Sequence, residues 1–454
     1  MQLRWWQKQP EPVNPTGIYP SLSLAKVPLP VTLPPTSVQI ITQFYPPDYA
    51  ATGQLIEELA AHLVSEHLSV RVFTSQPSYA FDCQTAPRKD DRHTYLKVWR
   101  SRATRLWSQR IRGKTLGGVF FFLRAALHLL RAKHRRGVLL LTTAPPFLPM
   151  LGYLANLCFD LPYVCLLYDL YPDIAIGLDV ISAEHWLVKC WDWLNCRTWE
   201  QSQAVVVLCD TMKDRVIAKC PQVSDRVTVI HNWANPERIK PIAKSDNWFA
   251  QQQNLVERFT VLYSGNMGRC HDMDTIFMAV QSLRDEPIQF VFIGDGAKRQ
   301  PLVDRCLQLG LDNVLFLPYQ PKENLPFSLT ACDLSLVSIS PGMEGLVAPS
   351  KLYSALNAGR PIAAICESHS YLTDLVAQAQ CGASFVNGDA VGLADFIRKL
   401  SQNPQLTATL GQAGRRYSLT HFTPEVIAKQ YNRVLRYPQS SPLNTKAQVK
   451  QTSG

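Results

Sequence analysis

Four short segments carry the residues whose types and spacing could do chemistry. In VAPSKLYSALNAGRP, Ser350 and Lys351 open a helical pattern that stops at Gly359, with Pro361 beyond it. A hydroxyl, an ammonium and the free amides of one helix start make an anion site together. The plain alternative is an N-capping serine followed by a surface lysine. In LYSGNMGRCHDMDTI, Gly265 and Gly268 flank a turn that holds Asn266 and leads into Arg269 and His271. A phosphate there would meet backbone amides and a guanidinium at once. In VFIGDGAKRQ, Gly294 and Gly296 flank Asp295 and let the backbone approach a planar base. In YPPDYAATGQLIEELAAHL, Gly53 marks the passage from strand to helix. That place suits a pyrophosphate or a sugar, or a tight bend and nothing more.

The elements that must position these segments alternate. VQIITQFY reads as a buried strand, and QLIEELAAHLVSE follows with helical periodicity. SVRVFTS, GVLLLTTAPPF, PYVCLLYDL, AVVVLCD and VTVIHN continue a first set of strands. A second set begins at FTVLYSGN and runs through IQFVFIGDG, VLFLPY (ending at Tyr319), LSLVSIS, RPIAAIC and ASFV. Strands alternating with helices predict doubly wound parallel sheets covered on both faces, so the fold class is α/β with two Rossmann-like domains. The expected organisation is a Pro-rich flexible leader over 1–36, a first domain over 37–236 and a linker over 237–256. A second domain spans 257–420, followed by a C-terminal helix over 421–437 and a disordered tail over 438–454. A ligand belongs in the cleft between the domains, at the carboxyl ends of the strands.

Composition narrows the class further. The chain of 454 residues is 46% hydrophobic and 10% aromatic, which excludes wholesale disorder. Its twelve cysteines include no C-x-x-C pair, and most sit in apolar surroundings, so they read as small buried hydrophobes in a reducing compartment. No zinc spacing occurs, and no metal site is expected. The start, MQLRWWQKQPEP, lacks the apolar stretch of a secretory signal, so the expected location is cytoplasmic. The long apolar run from Gly137 to Leu170 is divided by Pro145, Pro146, Pro149, Asp160 and Pro162, which predicts no membrane-spanning helix. The net charge of +10 is concentrated: Arg88 to Arg136 holds 15 Lys and Arg against 2 Asp. Such a segment points to an anionic surface, and residues 99–136 mix the cations with Trp99, Trp107 and VFFFL. The expected partner is an anionic membrane surface, with the protein peripheral on its inner face. The alternative is a core helix with solvated basic flanks. Nucleic acid is not expected, because no readout module accompanies the charge.

In order and spacing these segments are similar to the retaining GT-B glycosyltransferases of the family 4 type, from about Gln39 to Tyr437. The resemblance rests on Y-P-P…G, N-W-A-N, S-G-N-M-G, I-G-D-G and P-S-K-L-Y…A-G-R-P, and is strongest to the bacterial polysaccharide-type enzymes that carry P-S-K. It implies a first domain that binds the acceptor and a second that binds a nucleotide sugar, UDP- or GDP-linked, with no other cofactor and no metal. It further implies that YDLYPDIAIG, with Asp169, Tyr171 and Pro172, matches the family's D-x-W-P-like segment; Asp169 is otherwise a turn or capping residue. The catalytic candidates are then Asp169, Arg269 and Lys351. The donor-binding candidates are Gly53, Gly265, Asn266, Gly294, Asp295, Tyr319, Glu344, Ser350 and Ser354. Two departures stand out. Counting back from Gly359, the family's E-x7-E pair falls on Leu346 and Ser354, with Glu344 close by but out of register. Asn266 and His271 stand near the places of the family's usual Arg and Lys, and Arg269 is the substitute. The expected reaction is transfer of a sugar, with retention, to a lipid-linked or polysaccharide acceptor. A nucleotide-sugar 2-epimerase of the same fold and a catalytically silent subunit are the rivals.

Overall fold

The computed structural model describes residues 36–46, 51–76, 95–101 and 111–436. Two parallel sheets organise them. The first has seven strands: β1 (Ser37–Ile41), β2 (Ser69–Thr74), β3 (Leu96–Arg100), β4 (Val138–Thr142), β5 (Tyr163–Leu166), β6 (Ala204–Val207) and β7 (Val227–Val229). Their spatial order is β3-β2-β1-β4-β5-β6-β7. The second has six: β8 (Phe259–Ser264), β9 (Ile288–Ile293), β10 (Val314–Leu317), β11 (Leu334–Ser338), β12 (Ile362–Ile365) and β13 (Gly382–Phe385), in the order β10-β9-β8-β11-β12-β13. The α/β class with two Rossmann-like sheets is therefore the observed architecture.

The strands are parallel because both faces are buried. VLLLT of β4 and IQFVFI of β9 are buried at every position, so neither face could meet water. Register then sends alternate side chains to two cores. Ile41, Leu139, Leu141, Tyr163 and Cys165 face the helices Ile111–Leu130, Pro149–Phe159 and Trp186–Gln201. Val38, Ile40, Leu140, Val164 and Leu166 face the helix Ala51–Ser65 and the last helix, Pro424–Arg436. That helix buries Ile427, Ala428, Tyr431 and Leu435 in the first half's core, so it crosses back from the second half to the first. A single apolar cluster also runs from Leu170 and Ile174 of the first half to Met343, Leu346 and Tyr353 of the second.

Two elements were not foreseen in the sequence. β3 (LKVWR) is a strand at the edge of the first sheet, formed from residues read as part of the basic segment; it pairs with β2 from Val70↔Leu96 to Thr74↔Arg100. The stretch expected as a linker is partly folded onto the second sheet. Asn247 accepts from the amides of Phe249 and Ala250 (2.9 and 3.3 Å), capping the short helix Trp248–Gln252, and Phe249 and Ala250 pack with Leu262, Val291 and Ile293. Most of the basic segment between Arg88 and Arg110 lies outside the described residues, as do the Pro-rich leader and the tail. Among the described residues no helix is long and apolar enough to cross a membrane.

Candidate active site

In each sheet the order reverses once, between β1 and β4 and between β8 and β11. Such switch points open a crevice beyond the carboxyl ends of the strands. In the second half the crevice is built from three strand ends: Gly265–Asn266 after β8, Gly294–Gly296 after β9 and Ile339–Ser340 after β11.

The first two loops are stitched together by main chain. The Gly265 amide donates to the Ile293 carbonyl at 2.8 Å and the Gly294 amide to the Leu317 carbonyl at 3.0 Å. The Met267 amide donates to the Asp295 carbonyl at 2.8 Å, and the Lys298 amide to the Met267 carbonyl at 2.9 Å. Gly265 and Gly294 have φ of +136° and +133°, a region that side chains resist. A Cβ on Gly294 would stand 2.1 Å from the Gly265 carbonyl oxygen, so the two loops approach each other only because Gly294 lacks one. Asp295 accepts from the Gly296 amide at 2.8 Å, and Asn266 is exposed.

Lys351 begins the seven-residue helix Lys351–Asn357 and reaches toward these loops. Its Nζ donates to the Tyr263 hydroxyl and lies 3.8 Å from the centre of that ring. A Cβ on Gly265 would be 3.3 Å from Lys351 Cε. Tyr263 is fully buried and donates its own hydroxyl to the Asn266 carbonyl at 2.9 Å, so the aromatic ring links the lysine to the loop. With its ammonium withdrawn from water, Lys351 has its pKa pushed down to about 7. His271 packs edge-on to Tyr263, and its Nδ1 lies 2.7 Å from the Ser338 carbonyl, which requires that nitrogen to carry the proton. Burial first, then the charges of Lys351 and Lys298, push His271 down to about 3, against the pull of that hydrogen bond. It is a neutral imidazole at physiological pH. Lys298 donates to the His271 carbonyl at 2.7 Å, holding the loop from beneath.

The first half meets this region through Asp169. It forms an antiparallel bridge with Val347, and the Leu170 amide donates to the Leu346 carbonyl at 3.1 Å. Thr143 Oγ accepts from the Tyr168 and Asp169 amides (3.0 and 3.3 Å), which fixes the turn after β5. Burial pushes the Asp169 carboxyl up to about 6. Tyr171 is pushed up to about 12, by burial and then by the Asp169 charge beside it. Arg269 is exposed and donates across to the Leu178 carbonyl at 2.5 Å, and Arg215 donates to the Glu344 carbonyl and, at 3.4 Å, to that of Gly342.

The structure thus brings Gly265, Asn266, Gly294, Asp295 and Lys351 into one cluster, with the exposed Tyr319 near Gly294. Asp169 sits at the junction of the halves, where burial and its charge also raise the Cys270 thiol. Arg269 spans to the first half and does not point into the lysine cluster. Ser350 makes no capping hydrogen bond, and its dihedrals are already helical. Ser354 lies one turn further along the same helix, half-buried. Glu344 is buried with neither carboxylate oxygen in hydrogen-bond geometry among the described residues, and burial raises its pKa. Gly53 is not in a loop: it lies in the first turn of the helix Ala51–Ser65, where a Cβ would be 3.1 Å from the Phe44 carbonyl carbon and the Tyr45 amide nitrogen. Tyr263 and Lys298 were missed by sequence reasoning. Lys298 was visible in G-D-G-A-K, whereas Tyr263 reads only as a strand residue.

Comparisons with known proteins agree with the two-sheet fold. A family model described as Glycosyl transferase 4-like domain matches residues 51–233, and one described as Glycosyl transferases group 1 matches residues 244–417. The chain is 28% identical over 279 residues to the probable glycosyltransferase WbjE of Pseudomonas aeruginosa, covering 60% of this chain and 68% of that protein. It is 31% identical over 154 residues to the putative colanic acid biosynthesis glycosyl transferase WcaI of Escherichia coli (strain K12), covering 34% and 38%. The solved structure of Anabaena Alr3699/HepE in complex with UDP-glucose superposes with a TM-score of 0.65 at 16% identity, covering 88% of this chain and 99% of that one.

Proposed function

We propose that the chain, whose two halves match a Glycosyl transferase 4-like domain and a Glycosyl transferases group 1 domain, is a GT-B glycosyltransferase of the family 4 type that moves a sugar from a UDP- or GDP-linked donor, with retention, to a lipid-linked or polysaccharide acceptor. The observation that carries this reading is the meeting of Lys351 with the Gly265 and Gly294 loops at the switch point of the second sheet. Loops free of Cβ atoms let phosphates come against backbone amides, and a poorly hydrated ammonium beside them gains more from an anion than one in water. Lys351 bears the charge of the leaving diphosphate, and the Cβ-free face of Gly265 beside it lines the path. Arg269 assists from the rim and holds the halves together. Tyr319, Asn266 and Asp295 face the nucleotide, and Glu344, Ser350 and Ser354 lie along the sugar side. In this reading basic residues and amides do the work of a metal, and none is required.

Asp169 stands on the acceptor side, with a carboxyl raised into the range where proton exchange occurs near neutral pH. Its bridge to Val347 keeps it beside the second half. The name of WcaI, a putative colanic acid biosynthesis glycosyl transferase, supports a polysaccharide acceptor, the P-S-K segment supports the bacterial polysaccharide subgroup, and residues 99–136 support work at the anionic inner face of a membrane. Incubating the pure protein with radiolabelled UDP- and GDP-sugars and a lipid extract tests the proposal. Label in an extractable glycolipid is expected; epimerised donor, or no product from any donor, would refute it.

A further inference from the structure

The helix Ile111–Leu130 is apolar on two opposite faces. Phe121, Ala125 and Leu129 are buried against the sheet, at 1%, 0% and 2% exposure. Leu116, Val119, Phe120, Leu123, Leu127 and Leu130 are 41–60% exposed. At 100° per residue these six fall within about 100° of arc, centred opposite the buried stripe. A helix that is hydrophobic all round has both faces covered in its working state. One face here is covered by the protein; among the described residues the other stays open to solvent. Leu154 and Leu157 of the adjoining helix Pro149–Phe159, 46% and 61% exposed, widen the same surface. A patch of this size, formed by several large residues together, is not ordinary surface scatter.

Charge decides what covers it. The sequence has no Asp or Glu between Asp91 and Asp160, while Lys and Arg occur 13 times in that interval. Arg124 and Arg131 are exposed and, by the same angular count, border one side of the stripe, while Lys133 and Arg136 follow its end, also exposed. We propose that this apolar stripe inserts into the headgroup–acyl boundary of an anionic lipid bilayer, with the bordering cations on the lipid phosphates. This rests on the reading of residues 99–136 as membrane-facing, and goes further by assigning the contact to six side chains of one helix face. The other occupants fit less well: a second copy would bring the same cations against themselves. Long basic side chains beside an apolar stripe suit a bilayer, because their stems lie along it while their charges reach the headgroups.

The placement also sets the orientation. Gly118 packs on Pro145, just beyond the carboxyl end of β4, whereas Arg71 of β2 donates to the Lys133 carbonyl at 3.4 Å near the other end. The stripe therefore begins at the end of the sheet where the cleft opens and runs away from it over about 21 Å. A lipid-linked acceptor would leave the bilayer beside Leu116 and meet the cleft without crossing open water.

Flotation with vesicles of phosphatidylcholine containing phosphatidylglycerol tests the assignment. Wild-type protein should float, and the variant Phe120→Gln, Leu123→Gln, Leu127→Gln, Leu130→Gln should partition at least tenfold less, although its charge is unchanged. Because these side chains are exposed, its UDP affinity and melting temperature should match the wild type. As an independent reading, Leu123→Trp should shift its emission to the blue on adding the same vesicles. If the wild type floats and the stripe variant floats equally, or the tryptophan does not shift, the insertion is wrong while charge-driven docking stands. If Arg124→Gln, Arg131→Gln, Lys133→Gln and Arg136→Gln together leave flotation intact, the phosphate pairing fails. Self-association in light scattering that the stripe variant abolishes, without flotation, would assign the face to a second copy and overturn the proposal. Failure of glycosyl transfer in a protein that still floats would leave this inference standing and sink the proposed reaction instead.

Discussion

Lys351 gives the site a measurable proton signature. Burial lowers its pKa from 10.5 to about 7, so at pH 8 roughly one molecule in eleven carries the ammonium. A diphosphate placed against Nζ stabilises the charged form, and its pKa rises on binding. Binding at pH 8 should therefore take up close to one proton, about 0.9, and affinity should fall about tenfold per pH unit above pH 7 until the pKa of the complex is reached. The groups facing Nζ are Tyr263, whose hydroxyl burial pushes far above this range, and His271, held neutral at about 3. Neither titrates between pH 7 and 9. Calorimetry of UDP binding at pH 8 in buffers of different ionisation enthalpy reads the uptake directly. Lys351→Met should abolish it and weaken binding by roughly ten- to a hundred-fold, the loss of a charge-assisted bond of about 1.5–3 kcal/mol. His271→Gln should leave the uptake in place. Linkage to folding has its own sign: the unfolded chain binds the extra proton between pH 7 and 10.5, so this lysine makes stability rise with pH across that window. An unchanged uptake in Lys351→Met would refute the placement of the diphosphate against Nζ.

Other outcomes follow from particular contacts. Gly294→Ala puts a methyl 2.1 Å from the Gly265 carbonyl at φ +133°; it should lower the melting temperature and remove UDP binding together, as calorimetry and thermal scans would show. Phe121→Ala should cost about 3–5 kcal/mol in urea unfolding, because the ring is buried. Phe120→Ala, one residue away on the bare face, should stay within roughly 0.5 kcal/mol. Asp169→Asn should reduce turnover by at least tenfold while leaving UDP affinity unchanged; equal losses in both would move Asp169 out of the acceptor side.

Much of the architecture was legible because parallel strands buried on both faces leave continuous apolar runs, and VLLLT, AVVV and IQFVFI are such runs. LKVWR was not legible as β3, since an edge strand keeps only part of its surface buried and its lysine and arginine read as a charged stretch. The loops S-G-N and G-D-G announced themselves because positive φ demands glycine. What the sequence withheld was the way the loops meet. Tyr263 reads as one more strand residue until Lys351, 88 positions away, is found against its ring. Gly53 shows the converse: glycine also serves close packing of a helix on a backbone, and sequence alone does not separate that from a phosphate turn.

The junction between the halves shows why the site could not be read from either half alone. Arg269 and the His271 backbone belong to the second sheet's loops, yet Arg269 donates to Leu178 of the first half. The stretch from Ser340 to Pro349 leads into Lys351, and it is bridged to Asp169, bonded to Leu170 and held at two carbonyls by Arg215. Gly177 faces Met343 so closely that a Cβ there would lie 2.4 Å from Met343 Cε. The segment that leads into Lys351 is thus clamped to the domain that carries Asp169. In the proposed reaction, movement of one half on the other would displace Lys351 together with the Asp169 carboxyl. Coupling of that kind would keep the donor of the proposed reaction from being held in a productive geometry while the cleft is open to water.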